Sequence, residues 1–480
     1  MSDIEQRIRD ALRDPRRELN SWPDPMPRIR RAARRQHARL LKGGAAVTAA
    51  ASVTAVGVLI GLTAPASSRP TRHTELPALS CPARAGQRGA GLGNLVDVSG
   101  QSLTEVSLDT GKSRVLIRNT GADIANEAPA FSHDGRWVAF GNASVVSSAG
   151  GSVASVFGHS QVDYWTWSAT SDELAAITAQ RGVVIGGPGM RQRAVLPAGW
   201  GAYDIAFSPC GPELAVTRYP SCAAPATCHV DRGIWLVDLR TGRAHEVFRE
   251  GRDFALSLAG WSPDGRWILV RPEFDSSASL AADGVPLEAV AATGASRPIR
   301  VVATELQQPL AWCHDTLIQS AGALRYTFQG KHLVAAGPPY WRASPASLNS
   351  RSGWMLPACA GDGDWVAAST APSTSAYTFA QASQLWLLRP DGTDAHPLIQ
   401  DAGYQLTPLA WSADSGWILF QRMPVKPATG PAELFLAAVS ADGHLIKTVG
   451  PVARSRLALG TTPLIDGQLV MPYSWYQPQH

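Results

Sequence analysis

Apolar residues fall in short runs along most of the chain, and the runs are strand-like. WVAF (137–140), LAVT (214–217) and WILV (267–270) are rich in aromatic and β-branched residues, and each follows a polar turn. The turn itself recurs. FSHDGRW begins at Phe131, WSPDGRW at Trp261 and WSADSGW at Trp411, with weaker copies from Trp167, Phe207, Trp312, Cys359 and Pro463. Each copy reads as a strand, a tight turn and a second strand, because Gly accepts positive φ and Asp bonds its own backbone. A second hairpin follows most copies: IWLVDLRTGRAHEVF (234–248), LWLLRPDGTDAHPLI (385–399) and LFLAAVSADGHLIKTV (434–449). Four antiparallel strands per period of about 40–50 residues predict an all-β fold, a β-propeller of four-stranded blades over residues 81–480. Eight blades are preferred and seven are the alternative. The outer hairpin at 102–117 has no inner hairpin of its own, so it is expected to pair with 463–472 and seal the ring.

The repeated acid is expected to be structural. Asp134, Asp264, Asp362, Asp414 and Asp466 hold one turn position in successive copies, and a unique active site does not repeat in every blade. FSHDGRWVAF and WSPDGRWILV resemble the repeat of TolB-like propellers, a WD-repeat-like class of bacterial extracytoplasmic proteins. The resemblance spans about residues 90–475. It implies a rigid disc for binding, since members of that class mostly bind proteins or glycans. The chain has no Trp–Asp dipeptide, a departure from true WD repeats.

The first 80 residues break the pattern. Residues 43–64, GGAAVTAAASVTAVGVLIGLTA, carry no charge and are long enough to cross a bilayer as a helix. Arg28, Arg30, Arg31, Arg34, Arg35, Arg39 and Lys42 precede them, and only Arg69 and Arg72 follow closely. This asymmetry predicts a single-pass signal-anchor at 43–64 with residues 1–42 in the cytoplasm and the propeller outside the cell membrane. A cleaved signal peptide ending at APASS (64–68) is the competing reading. Residues 1–42 read as a basic, partly helical segment with Ile4, Ile8 and Leu12 on one face, and 65–80 as a linker. Beyond residue 42 the charges nearly balance, so the propeller has no basic footprint for nucleic acid.

All six cysteines follow the apolar segment, which suits disulfides in an oxidising exterior. Cys222 and Cys228 would close a short loop. Cys313 holds the Ser position of its repeat and Cys359 the aromatic position of the next. Adjacent strand positions point to opposite faces, so these two would meet across neighbouring blades if the aromatic face looks back. Cys81 and Cys210 would pair by elimination.

Other chemistry is thin. DTGKSRVLI (109–117) ends like a phosphate-binding loop but continues as strand, and GGPG (186–189) likewise joins strands. No Gly-x-Ser-x-Gly elbow occurs, and no Cys/His group has zinc-site spacing. No catalytic residue, metal ligand or cofactor is therefore expected, and propeller peptidases, which need a further hydrolase domain, are expected to drop out. The leading expectation is a membrane-anchored extracytoplasmic propeller, not an enzyme, that binds a protein or envelope ligand. One alternative is a transmembrane sensor, anti-sigma-like, whose residues 1–42 engage a cytoplasmic protein. The other is a propeller enzyme acting on glycans or peptides. The long inserts at 220–231, 272–284 and 370–383 are the expected contact surfaces.

Overall fold

The computed structural model describes the residues from 91 to 477 except 100–101, 119–128, 159, 219–231, 251–254, 274–284, 295–296, 306–309, 315, 320–324, 330–331, 336–352, 372–383, 425–431, 456–463, 466–467 and 470–472. All of them belong to one compact unit, Thr74–His480. The expected segments 1–42, 43–64 and 65–80, together with Cys81, Cys222, Cys228 and Asp466, lie outside the described residues. Among the described residues no helix is long and apolar enough to cross a membrane.

The chain is an all-β propeller of four-stranded antiparallel sheets. Among the described residues there are eight such sheets and one two-stranded sheet. Sheets B to H are meanders in chain order, over 130–155, 162–196, 202–250, 255–305, 310–335, 353–400 and 404–455. Sheet A joins the two ends of the described chain: Asn94–Ser99, Ser102–Ser107 and Ser113–Ile117 take Tyr473–Tyr476 as their fourth strand. First strands of neighbouring sheets pack on each other, which puts them innermost.

Strand periodicity builds the core between sheets. In Trp417–Pro424, Ile418 and Phe420 join sheet G's Ala367 and Leu387. Leu419, one position over, joins sheet A's Leu95 and Val106. Val96, next to Leu95, faces sheet B with Phe131 and Val138. A separate buried cluster fills each further junction between successive sheets. Both faces of each sheet are therefore covered, and the second strands read as near-continuous apolar runs.

The repeated turn holds itself together. Ser132, Ser262 and Ser412 each donate a hydroxyl to the Asp two residues on, at 2.7, 2.6 and 2.5 Å. Asp134, Asp264 and Asp414 accept the backbone N–H two residues further, at 2.9, 3.0 and 3.0 Å, and Asp362 accepts that of Asp364. The same Ser oxygens accept the N–H of Trp137, Trp267 and Trp417. Gly135 and Gly265 have φ of 71° and 70°, the left-handed region Gly enters freely. The repeated Asp is a turn residue. DTGKSRVLI is likewise a hairpin turn between Ser102–Ser107 and Ser113–Ile117, and GGPG joins Val183–Gly186 to Arg193–Leu196.

The aromatic position looks back. The indole N–H of Trp167 donates to the Ala130 carbonyl, that of Trp261 to Ala206, and that of Trp411 to Ala358, at 3.0, 3.2 and 2.9 Å. Each acceptor directly precedes the aromatic position of the preceding sheet. Cys359 holds that position in sheet G and meets Cys313 of sheet F in a disulfide with Cα atoms 5.5 Å apart. Cys210 is also disulfide-bonded, to a partner outside the described residues.

One expectation needs correcting. The described strands within 463–472 do not belong to the sheet that holds the hairpin at 102–117. Leu464–Ile465 and Gln468–Leu469 pair with each other in the two-stranded sheet, so the copy from Pro463 is no innermost hairpin. Asn94–Ser99 already supplies the second strand of sheet A. Only the innermost place is left, and Tyr473–Tyr476 takes it beside Asn94–Asp97.

Candidate functional site

The two ends of each strand meet different chemistry. Short turns join first to second and third to fourth strands. They lie on one rim, where the repeated turns bond from sheet to sheet. Tyr476 donates its hydroxyl to the Asp134 carbonyl at 2.8 Å, and the Asp134 N–H donates to Asp172 at 3.1 Å. His314 Nε2 donates to the Asp362 carbonyl at 2.6 Å, and the Asp362 N–H donates to the Ser415 hydroxyl at 3.0 Å. Gln477 accepts from the Ala413 N–H and donates to the Trp411 carbonyl. The opposite rim bears the connections from second to third strands. All three long inserts leave from there, after Glu213–Arg218, Trp267–Glu273 and Val366–Ala371. That rim is the candidate binding face.

Two arginine–aromatic stations mark it. Arg422, at the outgoing end of a second strand, stacks on Tyr404 at 3.5 Å and lies 5.5 Å from the Phe435 centroid. Asp401 takes two of its N–H groups, at 2.8 and 3.1 Å, and Glu433 lies 3.9 Å away. Arg218 stands at the same end of sheet D's second strand, 4.9 Å from Trp200 and 5.7 Å from Trp235. Its Nε donates to the Trp200 carbonyl at 2.7 Å, and the two indoles meet edge to face at 5.2 Å.

Below this face the strands carry buried polar groups. Thr217, Arg271, Ser369 and Gln421 hold one position on four second strands, and all are buried. Asp204 ties two innermost strands by accepting the Leu258 N–H at 2.7 Å. Asp97 is 3% exposed and its Oδ1 has no hydrogen-bond partner. Burial pushes its carboxyl up to about 7, against a hydrogen bond from the Val98 N–H. Gln421, 2% exposed, has an unpartnered Nε2. Asp97 shares a strand face with Leu95 and Gln421 with Leu419, and those leucines share one cluster. Both polar groups therefore point into the seam between sheets H and A. No group of three or more His, Cys, Asp and Glu among the described residues could hold a metal ion.

Sequence reasoning missed the stations and Asp97, and the inserts it singled out lie almost wholly outside the described residues. The stations had a signal: Trp200 and Tyr404 each lie seven residues before the aromatic of their repeat, and Arg218 and Arg422 eleven after it.

No protein family and no curated protein matches the sequence. Solved structures do. A dipeptidyl peptidase 4 from Porphyromonas gingivalis is similar at 11% identity and TM-score 0.47 over 76% of this chain, which spans 60% of that protein. An oligogalacturonate lyase from Vibrio parahaemolyticus is similar at 13% identity and TM-score 0.40, covering 74% of this chain and 99% of that one. TolB from Acinetobacter baumannii is similar at 11% identity and TM-score 0.31, covering 76% and 68%. The expectation that the chain is not an enzyme is therefore corrected. It rested on the missing catalytic motifs, and a peptidase and a lyase are among the solved structures the chain is similar to.

Proposed function

We propose that the chain is an eight-bladed propeller displayed outside the cell on a single-pass anchor at 43–64, and that its insert-bearing face binds a protein or envelope ligand. The observation that carries the reading is the asymmetry between the two rims. One is closed by short turns bonded to one another. The other carries all three long inserts and both arginine–aromatic stations. The buried cluster between every pair of successive sheets, A to B round to H to A, favours a closed ring of eight. The Cys313–Cys359 bridge suits an oxidising compartment. A closed ring holds rim loops on a rigid frame, so a ligand meets a face already formed.

The test is cross-linking and co-purification of the tagged full chain from solubilised membranes, beside a variant with the inserts 220–231, 272–284 and 370–383 shortened. Loss of the captured ligand from the variant, with unchanged melting, is the expected result. Equal capture by both would sink the reading. Protease added to cells with permeabilised outer layers should remove the propeller and spare a tag before residue 1. The opposite pattern would reverse the topology.

A further inference from the structure

The two arginine stations are copies of one arrangement with different counter-ions. Trp200 and Tyr404 match by position, as do Arg218 and Arg422. Trp235 and Phe435 match by register, opposite Val216 and Phe420. The positions of the two acids around Arg422 can be mapped the same way. Asp401 lies ten residues before Trp411, and the residue ten before Phe207 is Pro197. Glu433 pairs in register with Arg422, and the residue paired with Arg218 is Gly233. Sheet D thus keeps the arginine and both aromatics and lacks both carboxylates.

Arg218 is half-buried and has neither of the two acids beside it. Among the described residues its hydrogen bond goes through Nε to the Trp200 carbonyl. A guanidinium fork is built for a planar, two-oxygen acceptor, and its pairing with a carboxylate is strong when desolvated. Gly233 cannot supply one, since a Cβ there would run into the Phe248 carbonyl oxygen. Arg249, across from Gly233, is already paired with Glu246 at 2.8 Å.

We propose that Arg218, flanked by Trp200 and Trp235, is a seat for an Asp or Glu side chain of a protein ligand. Asp401 and Glu433 fill the matching seat from within the chain, which is why an acidic side chain is favoured over other anions. The seat rests on the ligand-binding reading above and gives it a residue-level contact on sheet D.

The experiment is calorimetric titration of the purified full chain with the acetylated peptide Gly-Glu-Gly-Glu-Gly, its Gln-for-Glu counterpart, and an oligogalacturonide. Binding of the Glu peptide alone is expected, about tenfold weaker or more in Arg218→Gln. Pro197→Asp is the second variant. It supplies the missing counter-ion from the matching position, so it should melt no lower than the parent and bind the Glu peptide about tenfold more weakly. Undiminished peptide binding by either folded variant overturns the proposal, as does no peptide binding by the parent. Arg218-dependent binding of the oligogalacturonide alone moves the seat to acidic sugars and overturns the side-chain occupant. If the ligand captured from membranes is retained in full by Arg218→Gln, the seat fails while the ligand-binding reading stands.

Discussion

Asp97 is the residue whose ionisation the fold resists most visibly. It sits in NLVDVS between apolar neighbours, buried against the seam, with one oxygen unpartnered. Its carboxyl is pushed up to about 7 by burial. A carboxyl raised in the folded state stabilises through its protonated form. That contribution is complete below the unfolded value near 4 and is lost as pH rises through 7. Across that window the loss is on the order of 4 kcal/mol. Asp97→Asn should remove the slope, so the variant should melt higher than the parent at pH 8 and near the parent at pH 4. Parallel pH profiles of the two proteins would rule this out. Asp264 behaves with the opposite sign. Burial would raise it, but the Ser262 hydroxyl, the Arg266 N–H and the Arg266 guanidinium together hold it below the usual range. Asp264→Ala should cost about 1–2 kcal/mol at neutral pH through the lost turn bonds, measured by urea unfolding; a loss of specific binding with no stability change would give the residue another role. The turn role of Asp264 was legible in sequence because its partners lie within four residues. The state of Asp97 was not, because the sheet covering it comes from residues more than three hundred positions away.

At the scale of strands and turns, the alternation of faces was enough to orient the elements once one direction was known. The Ser-to-aromatic offset placed Cys313 and Cys359 on facing sides, and the indole bonds of Trp167, Trp261 and Trp411 share that backward direction. Peptide mapping without reduction should recover the 313–359 link. The Cα spacing of 5.5 Å falls in the ordinary range, and replacing both residues with Ala should lower stability by roughly 2–4 kcal/mol. Two alkylated thiols in the native oxidised protein would break the argument. The stations were legible in principle, since their spacing repeats, but nothing in one sequence says which arginine carries counter-ions. That depends on Asp401 and Glu433 meeting Arg422 across a turn and a strand pair. The closing hairpin was misread for a related reason. PLIDGQL carries the local turn signal, yet Asn94–Ser99 occupies the place its second strand would need.

For the molecule as a whole, one short strand completes the sheet that joins the two ends of the described chain. Tyr473–Tyr476 bonds to Asn94–Asp97 and covers the edge of sheet A. Trp475 donates to the Leu92 carbonyl at 2.6 Å, Tyr476 packs on Phe131 with ring centres 5.5 Å apart, and Gln477 holds sheet H. Gly135 leaves room for the Tyr476 ring, where a Cβ would collide with it. Removing residues 473–480 should therefore uncover both an unpaired strand edge and the apolar seam of Leu95, Leu419 and Leu434, giving an aggregating or protease-labile product. Replacing 463–470 with a Gly/Ser linker of equal length should leave melting nearly unchanged, because among the described residues Leu464–Ile465 and Gln468–Leu469 form a two-stranded sheet apart from the four-stranded ones. The two variants separate the strand that closes sheet A from the hairpin that carries the repeat signal. A truncated protein that melts cooperatively at the parent temperature, or a linker variant that collapses, would assign closure to the hairpin instead. Limited proteolysis followed by thermal melting of both variants decides between them.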